Sequence, residues 1–185
     1  MNQDNSINKL QKILRYKFKT KKNLINSLTH PSYHQDLSKG LVLPFNNFER
    51  YEFLGDRVLG LVISSLIFDK FNKNNEGDLT KKLSYLVQKE FLYKIALELK
   101  IDNYLQYNKK KINDRLHKSI LSDTIESIIG AIYIDGGYKA AHKVITHIWK
   151  PYLDFSSINM TDAKTQLQEI SQKKYKSLPT YKLVE

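Results

Sequence analysis

Residues 46–71, NNFERYEFLGDRVLGLVISSLIFDKF, constrain the fold more than any other stretch of the chain. The segment opens with acids and ends in a long apolar run. Glu49, Glu52 and Asp56 stand at i, i+3 and i+7. At roughly 100° per residue, that spacing brings all three carboxylates to one helical face. Phe53, Leu54, Val58, Leu61, Val62 and Ile63 cover much of the remaining circumference, so a deeply buried helix is predicted. Carboxylates on such a helix are costly unless compensated. A divalent cation is the simplest compensation.

A second acid pair, Asp123 and Glu126 at i and i+3, lies inside the apolar run KSILSDTIESIIGAIYIDGG. Taken alone, such a pair is ordinarily solvated. Glu49 and Glu52 would equally suit a helix N-terminus, or ion pairs with Arg50 and Arg57. Two acid sets, each embedded in apolar sequence, point instead to one shared carboxylate cluster. Clustered carboxylates resist ionising together, and bound Mg²⁺ reverses that penalty. Oxygen donors suit Mg²⁺ or Mn²⁺ over zinc. Carboxylate-held Mg²⁺ is a common device for phosphoryl transfer. No Glu has a His three residues on, which sets aside a di-iron bundle. His30, His34 and His117 lack ligand spacing and read as structural or surface residues.

Elsewhere the first 150 residues show helical spacing and no β-alternation. Ser6 is expected to cap a helix over Ile7–Tyr16, and Leu24, Ile25 and Leu28 mark a short helix ended near Pro31. Pro31–Asn47 reads as a loop. Asp78 is expected to cap the helix after the central one, with Phe91–Leu99 continuing it. His117–Asp135 is predicted helical and stopped by Gly136-Gly137, and Tyr138–Trp149 is the last helix before Pro151. Phe155–Thr161 reads as a linker. Asp162 then caps a helix over Ala163–Lys174, and Thr180–Val184 looks like a first strand. This last unit is too small to hold a core, so a fragment, or a missing C-terminal domain, is expected.

A hydrophobic content of 41% places the chain among globular proteins. Thirty Lys+Arg against 19 Asp+Glu give a net charge of +11. That suits a polyanionic partner, nucleic acid or an anionic membrane, although a Lys/Asn-rich bias would produce the same surface. The absence of cysteine excludes disulfides and thiolate metal sites. The N-terminus lacks the apolar core of a signal peptide. No apolar run approaches the roughly 18 residues of a membrane span. A soluble cytoplasmic protein with no membrane partner is expected.

The octapeptide Glu49-Arg50-Tyr51-Glu52-Phe53-Leu54-Gly55-Asp56 resembles the signature of the ribonuclease III family, usually ERLEFLGD. Leu28-Thr29-His30-Pro31-Ser32, Glu76-Gly77-Asp78 and the run SILSDTIE from Ser119 to Glu126 match further family motifs in order and spacing. Asp162–Glu169 and Leu178-Pro179-Thr180-Tyr181 resemble the start of a double-stranded-RNA-binding domain. The resemblance covers essentially the whole chain. It implies an all-α endonuclease domain over 1–154, a ribonuclease III-like helical bundle. A linker over 155–161 and the beginning of an α+β RNA-binding domain over 162–185 would follow.

The resemblance further implies a homodimer that hydrolyses double-stranded RNA with Mg²⁺, for which Mn²⁺ would substitute. Products would carry 5′-phosphate and 3′-hydroxyl ends with short 3′ overhangs, as in rRNA and mRNA precursor processing. Glu52, Asp56, Asp123 and Glu126 would hold the metal, with Asp56 and Glu126 most critical to hydrolysis. Glu49 and Glu76 match supporting acids of the same valley. Phe53 matches an aromatic that plugs into the partner subunit; ordinary core packing is the alternative. Thr165, Gln168 and Gln172 share one helical face and would meet 2′-hydroxyls in a minor groove, with Lys173, Lys174 and Lys176 near phosphates. Three departures stand out: Tyr51 for the usual Leu, Arg57 after Asp56, and a glycine-poor stretch over 111–117. Arg57 is expected to pair with a valley acid without abolishing metal binding. Two other classes stay open: a non-cleaving RNA-binding relative, disfavoured because all four metal acids are present, and a metal-independent interaction module.

Overall fold

The computed structural model describes residues 3–34, 47–110, 112–154, 168, 171–177 and 179. The chain divides into two units, Met1–Leu153 and Asp154–Glu185.

The first unit is helical: α1 (Gln3–Leu14), α2 (Lys21–Ser27), α3 (Asn47–Lys70), α4 (Glu76–Val87), α5 (Lys89–Glu98) and α6 (Asp114–Trp149). Among the described residues, the one β-type contact is a bridge between Thr29 and Gln106. The core gathers around α3 and α6, the most extensive helix pair. On α3, Phe48, Gly55, Val58, Leu59, Val62, Ile63 and Ile67 recur at helical spacing and are buried. The opposite side is not. Phe53, Leu61 and Phe68 are 70%, 59% and 68% exposed. The predicted deep burial of this helix is therefore corrected: it packs on one side and shows an apolar strip on the other.

Helix starts differ from the sequence reading where a polar cap stands earlier in the chain. Asn75, not Asp78, caps α4, and its Oδ1 accepts from the Asp78 N–H at 2.9 Å. Asn113 caps α6 by accepting from the Leu116 N–H at 2.9 Å, so the helix starts at Asp114, ahead of the predicted His117. α1 begins at Gln3, which places Ser6 inside it. Gln88, with extended backbone at φ −66° and ψ 152°, separates α4 from α5. Gly137 adopts φ 75° and ψ −175°, where a side chain would be strained; this non-helical residue divides α6 into two helical segments at the predicted glycine pair.

Two polar ties fix α6, one at its C-terminal end and one just before the Gly137 kink. The Trp149 Nε1–H donates to the Leu86 carbonyl at 3.1 Å. Asp135 accepts from Tyr16 Oη at 2.7 Å, the Lys19 N–H at 2.8 Å, the Thr20 N–H at 2.9 Å and Asn23 Nδ2 at 3.2 Å. One carboxylate thus holds the basic connector between α1 and α2.

In the second unit, Gln168 and residues 171–175 are helical. Gln172 is exposed, as are Lys173, Lys174 and Lys176. Thr165 and the predicted strand over Thr180–Val184 lie outside the described residues. No helix among the described residues is long and apolar enough to cross a membrane.

Candidate metal centre

The site starts from a backbone contact. A Cβ on Gly55 would sit 1.8 Å from the Glu126 carbonyl oxygen, and one on Gly130 would sit 2.1 Å from the Tyr51 carbonyl oxygen. Each glycine lets α3 and α6 touch main chain to main chain. Ser127 Oγ seals the crossing by donating to the Phe48 carbonyl at 3.1 Å. Glu52 lies three residues before Gly55, and Asp123 lies three before Glu126, so the crossing delivers acids from both helices to one place.

Carboxylate oxygens of Glu52, Asp123 and Glu126 lie within 4.8 Å of one another. Glu49, Glu52, Phe53, Asp56, Lys89 and Glu126 line the cleft above them, of about 550 Å³. Asp56 shares this cleft, but its carboxylate is held by Arg57 Nη1 at 2.6 Å. The close cluster therefore contains three of the four acids assigned to the metal, and Arg57 does pair with a valley acid, namely Asp56. Glu49 stands in the cleft as expected. Glu76 is not among its lining residues; at the start of α4 its carboxylate accepts from Thr80 Oγ1 at 2.9 Å. Phe53 forms part of the cleft wall and is largely solvent-facing, with the Arg57 guanidinium 5.9 Å from its ring centre.

The charges strain one another. Burial, then the neighbouring Asp56, Asp123 and Glu52 carboxylates, push the Glu126 carboxyl up to about 8, with Lys89 opposing them. Glu52 is raised for the same reasons: burial first, then Asp123, with Lys89 opposing. His30 packs edge-on against Phe48 at 5.4 Å and shares a hydrogen bond with Ser32 Oγ at 2.8 Å, a packing role. His117 contacts Asp102 at 2.8 Å, away from the cleft.

Two features were absent from the sequence reading. Gly55 sits inside the octapeptide, yet nothing in one sequence says which backbone it meets. Lys89 is one of many lysines; its Nζ lies 3.0 Å from Asp123 Oδ1 and donates to Ser119 Oγ at 3.4 Å.

The donor set tests a metal directly. Three buried or half-buried carboxylates within 4.8 Å of one another, two of which (Glu52 and Glu126) are raised above the ordinary carboxylate range, form an under-compensated anionic pocket of hard oxygen donors. That fits a hard divalent cation.

The ribonuclease-III-like family model matches residues 21–152. The chain belongs to the ribonuclease III family. Ribonuclease 3 of Pelagibacter ubique (strain HTCC1062) is 40% identical over 177 residues, which cover 95% of this chain and 76% of that protein. Ribonuclease 3 of Oleidesulfovibrio alaskensis is 39% identical over 180 residues, 95% of this chain and 77% of that protein. Among solved structures, a nuclease domain of ribonuclease III from Campylobacter jejuni matches with TM-score 0.68 and 38% identity. The match covers 78% of this chain and 96% of that one, and that work concerns flexibility in a region involved in dimer formation of that domain. Dicer from Pichia stipitis matches with TM-score 0.57 and 26% identity over 90% of this chain and 74% of that one. As a ribonuclease III family member, this chain is an endoribonuclease with an all-helical nuclease unit.

Proposed function

We propose that the chain is a Mg²⁺-dependent endonuclease of double-stranded RNA that works as a homodimer. The convergence of Glu52, Asp123 and Glu126 from two helices carries this reading. Glu52, Asp123 and Glu126 would hold the cation, with Asp56 joining them once Arg57 releases it. A cation so held supplies water activation and neutralises charge on the leaving oxygen. Glu126 and Glu52, ionised against their tendency to keep protons, provide the anionic pocket. Glu49 extends the anionic wall, and Glu76, outside the cleft lining of the single subunit, would be a supporting acid. Main-chain contact at Gly55 and Gly130 holds the two backbones that carry the acids at a fixed separation.

The exposed Phe53 provides the knob for a partner subunit, with Leu61 and Phe68 further along the same helix. Two sites in such a dimer would cut opposite strands and leave short 3′ overhangs with 5′-phosphate and 3′-hydroxyl ends. The net charge of +11 supports an RNA partner. Residues 1–154 form the nuclease domain and 155–161 the linker. Residues 162–185 begin an α+β RNA-binding domain in which Thr165, Gln168 and Gln172 meet the minor groove. Such an enzyme would process rRNA and mRNA precursors in the cytoplasm, with Mn²⁺ able to replace Mg²⁺.

The test is incubation with end-labelled perfect duplex RNA at low salt in Mg²⁺, Mn²⁺ or Ca²⁺, with both product ends mapped. Cleavage in Mg²⁺ and Mn²⁺ with the stated ends supports the reading. An intact duplex in Mg²⁺, with the protein folded and dimeric, defeats it.

A further inference from the structure

Among the residues lining the acidic cleft, Lys89 is the basic one. Its root is fastened beside Asp123. Ser122 Oγ donates to the Lys89 carbonyl at 3.1 Å, and Glu90 pairs with Lys118 at 2.5 Å, so the first turn of α5 is bound to α6. Its head faces solvent: the side chain is 66% exposed, against 16% for Asp123. Both oxygens of Asp123 are engaged. Oδ1 is held by Lys89 Nζ at 3.0 Å, and Oδ2 accepts from Ser119 Oγ at 3.3 Å.

Asp123 cannot offer Oδ1 fully to a divalent cation while an ammonium sits on it. An ion pair whose ammonium faces solvent is screened and contributes little. A divalent cation held by three carboxylates outcompetes it. The released lysine keeps its anchored root, so its ammonium stays at the cleft, where a phosphate would lie. Lysine suits such an exchange, being a compact charge on a flexible stem.

We propose that Lys89 is a positioning residue: it holds Asp123 before a cation arrives, yields the carboxylate to it, and then turns its ammonium to a phosphate of the RNA strand in the cleft. This rests on the nuclease reading above. The experiment compares wild type, Lys89→Met and Lys89→Arg in the full chain. Mn²⁺ binding is measured without RNA by electron paramagnetic resonance, and kcat and KM on duplex RNA are measured separately. Removing the competing ammonium should tighten Mn²⁺ at least threefold in Lys89→Met. The kcat should fall at least tenfold with KM within about twofold, because duplex binding is spread over many phosphates. Lys89→Arg should recover a third or more of kcat.

Unchanged Mn²⁺ affinity and kcat in Lys89→Met would overturn the proposal. So would weaker Mn²⁺ binding with a lowered melting temperature, which marks a structural strut, or a raised KM at constant kcat, which marks a simple binding lysine. A wild type that neither binds Mn²⁺ nor cuts RNA overturns the nuclease reading itself, a separate result.

Discussion

Gly55 and Glu126 touch so closely that one methyl group on Gly55 would lie 1.8 Å from the Glu126 carbonyl oxygen. Real side chains do not approach a backbone atom this way, and a carbonyl inside a core helix has nowhere to retreat. The contact sets the distance between α3 and α6, and hence the distance between their acids. Gly55→Ala should therefore destabilise the fold by on the order of 3 kcal/mol and weaken Mn²⁺ binding as well. Urea unfolding and a Mn²⁺ titration of the same samples check both effects.

Glu126 makes the stability of the metal-free protein depend on pH. Its carboxyl is raised from 4.5 to about 8 in the fold, mainly by burial and then by Asp56, Asp123 and Glu52. The folded state keeps a proton that the unfolded chain gives up near 4.5. The contribution is fully present below that value and is lost as pH rises through about 8. In EDTA, the melting temperature should fall between pH 5 and pH 8.5, and Glu126→Gln should flatten this loss. Melting curves across that range decide it; a wild-type slope unchanged by Glu126→Gln is the contrary result.

Asp135 carries the opposite sign. Partial burial pushes its carboxyl up, but hydrogen bonds from Lys19, Tyr16, Thr20 and Asn23 together outweigh it and leave it below the ordinary 3.8. Its contribution is present above that value and is lost as pH falls through the lower folded one. Asp135→Ala strands the donors of the α1–α2 connector and should cost about 2 kcal/mol at pH 7. Because Asp135 does not line the acidic cleft, Mn²⁺ affinity should not change. Chemical unfolding at pH 7 and pH 3 with a parallel Mn²⁺ titration tests both statements.

Phe53 is mostly exposed, so its truncation costs the isolated subunit little. Phe53→Asp should shift the protein from dimer to monomer in sedimentation experiments while leaving the helical circular dichroism intact. A dimer of unchanged strength would show that the exposed strip of α3 is not the contact.

The central helix, the all-helical nuclease unit and the family were legible in the sequence, because apolar spacing and the octapeptide are local signals. So was the meeting of Glu52 with Asp123 and Glu126, since both acid sets sit in apolar helices. What escaped was tertiary. The exposure of Phe53, Leu61 and Phe68 looks like burial until the packing side is known. The capture of Asp56 by Arg57 depends on rotamers. Gly55 and Gly130 carry no side chain to betray a contact, and Lys89 reaches Asp123 across 34 residues of chain. The caps failed for a local reason: Asn75 and Asn113 precede the residues expected to start those helices, and each already accepts an N–H.

The most direct measurement is Mn²⁺ binding to the EDTA-treated, dialysed protein and to Glu126→Gln, followed by loss of the free-ion electron paramagnetic resonance signal. The expected result is saturable binding by wild type and at least tenfold weaker binding by Glu126→Gln, with both proteins equally helical. Equal affinity in the two proteins would mean that Glu52, Asp123 and Glu126 do not share a cation.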